Sequence, residues 1–175
     1  MTKYKYDLFQ SPLGWIAFLG SEKGLRRLSL KPALQEALEE LGPELDQSVS
    51  DPSGFVEERS YLERFFQGDA EALDNIKLDL SDAPPFFKAA WQACRIIPAG
   101  ETKSYGWLAA AAGSPRAVRA AGQAMARNRF TLIIPCHRVI ASDGGLGGYG
   151  GGGLQVKAEL LDLEAESKFS DEHNS

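Results

Sequence analysis

YGWLAAAAGSPRAVRAAGQAMARN, residues 105–128, decides how this chain reads. A short helical stretch runs up to Ala112, and a second follows Gly113-Ser114-Pro115. Ser114 suits an N-cap and Pro115 the first position of the second helix, because a first-turn N–H has no intrahelical partner to lose. Two short helices joined this tightly, with arginines on the second, predict a helix-turn-helix. Helix pairs joined by glycine also serve as plain packing units, so the motif alone leaves the function open.

Charge sharpens the reading. The chain carries a net charge of −5, which argues against nucleic acid binding over its whole surface. Residues 1–83, however, hold nine Lys/Arg against sixteen Asp/Glu, whereas residues 84–164 hold nine against five. Within residues 101–138 six basic side chains face one acidic one. Phosphate backbones are recognised by local basic surfaces of this kind, not by the average over a chain. With 43% hydrophobic and 25% charged residues, the 175-residue chain can bury a real core and reads as an ordinary globular protein. MTKYKYD opens it without an apolar leader, and no run approaches the roughly 18 apolar residues of a membrane span. No membrane association is expected, and a reducing cytoplasm suits two cysteines that form no CxxC pair.

Outward from the helix pair, PPFFKAAWQACRIIP predicts a helix starting on proline, with Phe87, Trp91, Cys94 and Arg95 or Ile96 on neighbouring faces. Cys94 reads as a buried helical residue. SDAPP, residues 81–85, marks a boundary between domains 1–83 and 84–175. Before it, KYDLFQSPLGWIAFLGSEKGLRRLSL reads as an antiparallel meander punctuated by Ser-Pro-Leu-Gly and Ser-Glu-Lys-Gly turns. PALQEALEELG and EERSYLERFFQGD predict helices stopped by Gly42 and Gly68; residues 43–56 read as a loop, and IKLDLS as one more strand. Downstream, GGLGGYGGGG, residues 144–153, lacks the context of a phosphate cradle; it reads as a linker, or as a loop whose backbone approaches a planar ligand with Tyr149 as a wall. LQVKAELLDLEAE closes the ordered chain as a helix with Glu164 near its end.

The chemistry gathers in IIPCHRVI, residues 133–140. Apolar surroundings disfavour a thiolate, yet Cys136 stands beside an ionisable histidine and an arginine. A nucleophilic cysteine needs a base, and His137 is the one histidine outside the C-terminal tail. Neighbours on a strand face opposite ways, so contact between the two side chains requires a turn or a bridging water. A carboxylate would fix the imidazole tautomer, and spacing leaves Glu164 as one of several partners. Residue types alone leave two readings open, a catalytic cysteine and a structural one.

IPCHRV, preceded by IPAGETKSY and by SYGWLAAAAGSPRAVRAAGQAMARN, resembles the O6-alkylguanine-DNA alkyltransferase family (methylated-DNA–protein-cysteine S-methyltransferases) over residues 84–164, and more loosely over the early sheet segment. The resemblance implies an α+β fold: a small ribonuclease-H-like domain with an antiparallel sheet, then a mostly helical, winged-helix-like domain carrying the helix-turn-helix. It implies a single-turnover enzyme that moves an alkyl group from O6 of guanine in double-stranded DNA to Cys136. His137 would deprotonate the thiol through a water, Glu164 would orient His137, and Asn128 would be the hinge between recognition helix and cysteine loop. Tyr105 would turn the nucleotide out and donate to the base, and Arg119 would fill the vacated place in the stack, since the target atom is unreachable inside a duplex. Val139, Tyr149, Gly150 and Met125 would complete the guanine site. Ser114, Arg116, Ala117, Ala120, Gly122 and Arg127 would meet DNA in the minor groove, where small residues, Ala121 among them, allow close approach. No cofactor and no metal are expected, because zinc ligands found in some members have no counterpart here, and the chain is expected to act as a monomer. It departs from the family between Tyr149 and Lys157, one residue longer than usual, with Gly150–Gly153 in place of a Ser-Gly pair.

Overall fold

In a computed structural model that describes residues 3–141 and 156–165, the apolar run GWIAFLG becomes the middle strand of a sheet. Strand β2 (Gly14–Ser21) pairs antiparallel with β1 (Tyr4–Ser11) on one side and β3 (Gly24–Lys31) on the other. Ile16, Ala17, Phe18 and Leu19 are all fully buried, which explains why this strand is apolar on consecutive positions: both faces of the sheet are covered. Helix α1 (Leu34–Glu40) closes one face, where Ala37 and Leu41 pack with Tyr4, Ala17 and Leu19. On the other, Phe18 meets Phe55 edge-on at 5.0 Å between ring centroids, just ahead of α2 (Val56–Phe66), which buries Leu62 and Phe65.

The meander is as expected, but the loop 43–56 is more ordered than its Pro, Asp and Ser content suggests. It contains 3-10 turns at Pro43–Gln47 and Pro52–Phe55 with a short strand, β4 (Ser48–Ser50), between them. This strand joins β1 in parallel, extending the sheet to the order β3-β2-β1-β4. Three residues are too few to show an alternation in sequence. Conversely, IKLDLS is not a strand. It touches β3 through one bridge, Leu25 to Leu78, with Leu25 donating to Lys77 and Asp79 donating back to Leu25. Gly24 makes that contact possible: at φ +134°, a Cβ there would lie 2.6 Å from the Lys77 carbonyl oxygen. Farther along β3, Leu28 exchanges hydrogen bonds with Arg129 and Thr131, so two brief contacts cover the outer edge of the sheet.

The chain forms two compact units. The first runs to Leu80 and takes in Arg129–Ile133; the second comprises Ser81–Asn128 and the chain from Ile134 onward. In the second, α3 (Pro85–Arg95) begins on proline as predicted and buries Ala90, Trp91, Ala93 and Cys94. Its end differs from expectation: Ile96 is 73% exposed, and Ile97 is the buried neighbour. Trp91 Nε1 donates to the Ala124 carbonyl at 2.9 Å, tying α3 to the helix that carries Ala124. Among the described residues no helix is long and apolar enough to cross a membrane.

Helix α4 (Tyr105–Ala111) is capped by Ser104, whose hydroxyl accepts from the Trp107 amide. Helix α5 (Val118–Ala126) starts three residues later than Ser114-Pro115 implies, with Ala117 as its N-cap. Ser114 instead opens a turn in which its carbonyl accepts from Ala117 N at 2.8 Å. Proline suits the second position of such a turn as well as the first of a helix, and the turn wins here. Gly113, at φ +94°, reverses the chain between the two helices. Short strands β5 (Lys103–Ser104) and β6 (Val139–Ile140) pair in parallel, which brings the segment after Cys136 alongside the start of α4.

Candidate active site

Pro135 ends the run of Ile133 and Ile134, and Cys136–Arg138 forms one 3-10 turn. Cys136 N donates to Ile134 O at 2.7 Å and Arg138 N to Pro135 O at 2.8 Å. With about three residues per turn, successive side chains fan out in different directions. The cysteine and histidine are therefore not on opposite faces of a strand.

Asn128 sits just past α5 and closes over this turn. Its Nδ2 lies 2.9 Å from Ile134 O and 3.2 Å from Cys136 Sγ. Cys136 is 7% exposed. Burial pushes its thiol up, while the Asn128 hydrogen bond and the charge of Lys157 pull it back without cancelling the rise. At neutral pH the resting sulfur is a thiol, not a thiolate, and needs a base at the moment of reaction.

His137 is fully buried, and its Nε2 lies 2.6 Å from Glu164 Oε1. Glu164 belongs to the helix over residues 156–165, α6. Burial raises its carboxyl, but hydrogen bonds and charge from His137 and Arg138 bring it down to about 2. An ionised carboxylate only accepts, so the histidine proton resides on Nε2. Burial also pushes His137 down, against the pull of Glu164, so the ring is neutral near pH 7. Its other nitrogen, Nδ1, is buried with no hydrogen-bond partner among the described residues. A lone pair on a neutral ring, one residue from a buried thiol, is what a general base requires.

Two charged residues that sequence reasoning left unassigned complete the site. Arg138, expected to stand as a cation beside Cys136, instead turns its guanidinium onto Glu164 and the Ile97 carbonyl. Lys157 is fully buried on α6, where its Nζ donates to Val139 O at 2.7 Å and its charge favours a Cys136 thiolate. The one hint for both was their place at an apolar position of a helix or inside an apolar run, where a buried charge is paired; it does not name the partner.

Tyr105 opens α4 half-buried, and its hydroxyl is pushed up by burial and by the nearby thiols, so it remains a proton donor. Val139 is fully buried on β6, with its carbonyl held by Lys157. Met125 is 7% exposed and faces inward with Ala121 and Ala124. Ala121 was expected among the small residues at the DNA surface; fully buried, it serves packing instead. The outer side of α5 presents Arg119 and Arg127, with Arg116 exposed in the preceding turn and Ala117, Ala120 and Gly122 partly exposed. Ser114, Arg116 and Ala117, with Pro115, line a shallow hollow of about 550 Å³. Tyr149, Gly150 and the glycine run to Gly153 lie outside the described residues. Among the described residues no group of three or more His, Cys, Asp or Glu could hold a metal ion.

A sheet unit followed by a helical unit, with a helix-turn-helix and the buried residues Cys136, His137 and Glu164, defines a two-unit thiol protein. Residues 4–80 match the ribonuclease-like domain of 6-O-methylguanine DNA methyltransferase, and residues 85–166 match the DNA binding domain of the same family. The chain is 39% identical to the methylated-DNA–protein-cysteine methyltransferase of Methanosarcina barkeri, over 91% of this chain and 96% of that protein. It is 41% identical to the Cricetulus griseus protein of the same name, over 91% and 81%. Among solved structures, Mycobacterium tuberculosis OGT in complex with DNA superposes with a TM-score of 0.78 at 34% identity, covering 93% of this chain and 94% of that one. The chain belongs to the 6-O-methylguanine DNA methyltransferase family.

Proposed function

We propose that this protein repairs double-stranded DNA by moving one alkyl group from O6 of guanine to Cys136. The observation that carries the reading is a pair of contacts on adjacent buried residues of one turn, Asn128 Nδ2 on Cys136 Sγ and His137 Nε2 on Glu164 Oε1. Family membership and the DNA-bound relative support DNA as the partner. Arg116, Arg119 and Arg127 supply the charge for the phosphates, and the small residues Ala117, Ala120 and Gly122, with Ser114, permit close approach in the minor groove. Arg119 fills the place of the extruded nucleotide. Tyr105, Met125, Val139, Tyr149 and Gly150 hold the base.

In the chemical step the thiol proton passes through a water to His137 Nδ1, and the sulfur attacks the alkyl carbon in line. The carbon–O6 bond breaks, its electron pair leaves with guanine, and Tyr105 supplies a proton to the departing base. The product is a thioether, which has no leaving group for water to displace, so each molecule acts once. Asn128 Nδ2 stabilises the forming thiolate. One chain carries every member of the constellation, so a monomer suffices, with residues 1–83 as a supporting domain and 84–175 as the DNA-binding and acceptor domain. Two free, buried cysteines suit a reducing cytoplasm.

The test is where the alkyl group lands. After incubation with a duplex oligonucleotide bearing O6-methylguanine, tandem mass spectrometry should place one methyl on Cys136 and none on Cys94. A Cys136→Ala protein that still removes the methyl would refute the proposal; binding of the lesion without transfer by the unaltered protein would favour a recognition module.

A further inference from the structure

Glu164 receives three donors on two oxygens. His137 Nε2 and Arg138 Nη2 reach Oε1 at 2.6 and 2.7 Å, and Arg138 Nε reaches Oε2 at 3.0 Å. The remaining prong, Nη1, is anchored on the Ile97 carbonyl at 2.6 Å, which fixes the plane of the fork against the end of α3. A guanidinium is always charged and always a donor. A permanently charged fork spanning both oxygens holds the carboxylate ionised whatever the protonation of the histidine. Without that fork the nearest available countercharge would be the imidazolium of His137 itself. That ring would carry protons on both nitrogens, and its Nδ1 could not accept from the thiol.

We propose that Arg138 is a positioning residue for the transfer: by neutralising Glu164 it keeps His137 uncharged, with the proton on Nε2 and the lone pair on Nδ1. The assignment rests on the reading of Cys136 as the alkyl acceptor. His137 is faced by Glu164 and Lys157 from α6 and by Arg138 and Cys136 from its own turn. Burial pushes the ring down, Glu164 pulls it up, and Arg138 and Lys157 push it down. Removing the Arg138 charge therefore raises the pH at which His137 becomes neutral.

The experiment is the pH dependence of methyl transfer from duplex O6-methylguanine under single-turnover conditions, for the unaltered protein, Arg138→Gln and Arg138→Lys. Arg138→Gln should shift the acid limb upward by about one pH unit, as loss of a neighbouring cation does, with rate recovering at higher pH. Arg138→Lys keeps a cation but not the fork, and should lower the plateau while leaving the limb near its original position. A limb that stays in place in Arg138→Gln overturns the proposal, because a residue that merely supports the fold would change rate or stability without moving it. Nitrogen-15 shifts of His137 in the unaltered protein give a readout independent of how the variants fold. A neutral ring protonated at Nε2 at pH 7 is expected, and a doubly protonated ring or an Nδ1–H tautomer overturns the proposal. Methyl on Cys136 with an unmoved limb contradicts only the role of Arg138, whereas no methyl on Cys136 at any pH contradicts the acceptor reading.

Discussion

The two units contain the same device used for different ends. In the first, Arg26 sends Nε and Nη2 to the two oxygens of Glu44 at 2.8 and 2.6 Å, and Nη1 to Asp79, which also accepts from the Ser21 hydroxyl. In the second, Arg138 sends Nε and Nη2 to the two oxygens of Glu164 and Nη1 to a backbone carbonyl. Both forks are largely buried, and both are bidentate, the geometry in which arginine binds carboxylates best. The difference is at the far end. The Arg26 network includes a hydroxyl that holds its proton throughout the physiological range. The Arg138 network reaches an imidazole whose remaining nitrogen has no hydrogen-bond partner among the described residues. A buried fork by itself is architecture; coupled to a group that can take up a proton, it becomes part of a reaction.

This contrast predicts that the two networks fail differently. Glu164→Gln should slow methyl transfer by roughly a hundredfold or more, the usual weight of general base catalysis, with DNA affinity nearly intact; equal rates in a single-turnover assay would remove Glu164 from the mechanism. Arg26→Met should destabilise the fold by about 4 kcal/mol, because it strands buried carboxylates, yet leave the transfer rate of the folded protein unchanged. Calorimetry and the same rate assay check this together, and a large rate loss would erase the distinction.

Acid titration separates them more finely. The folded Glu164 carboxyl lies at about 2 against an ordinary 4.5, so its contribution is fully present above pH 4.5 and is lost as pH falls toward 2. The buried, neutral His137 adds a loss of the same sign that begins below its ordinary 6.5. Thermal melts should fall through this range in the unaltered protein and less steeply in Glu164→Gln. The smallest effect is at Gly122, where an added Cβ meets nothing within 4 Å. Gly122→Ala should raise stability by up to about 1 kcal/mol through helix propensity and weaken DNA binding, if the helix backbone packs against the groove. Unchanged affinity in a binding titration would move the contact elsewhere.

What the sequence made legible follows from how local each signal is. The meander, α1, α2 and α3 are written in apolar spacing and turn residues, and the structure has them. Ser114-Pro115 misplaced the start of α5 because a proline turn and a proline-started helix use the same residues. The strand β4 and the single bridge at Leu78 depend on partners distant in sequence, which no local pattern encodes. In the site, Cys136, His137 and Glu164 were legible from residue type and family resemblance. Arg138 and Lys157 were not, because a lone cation in sequence looks solvent-facing until the carboxylate or carbonyl that it meets in the fold is known. Leu132 belongs with them: its φ of +75°, a strain of about 1–3 kcal/mol, leads into Pro135 and the cysteine turn, and nothing in its neighbours announces it.

The account stands most directly on stoichiometry. Titrating the protein with an excess of duplex O6-methylguanine and counting methyl groups removed per molecule should give a rise that stops at one. A count that continues to climb would show a hydrolytic or otherwise regenerating thiol. A count of zero with the lesion bound would show that the Cys136 sulfur never becomes the nucleophile.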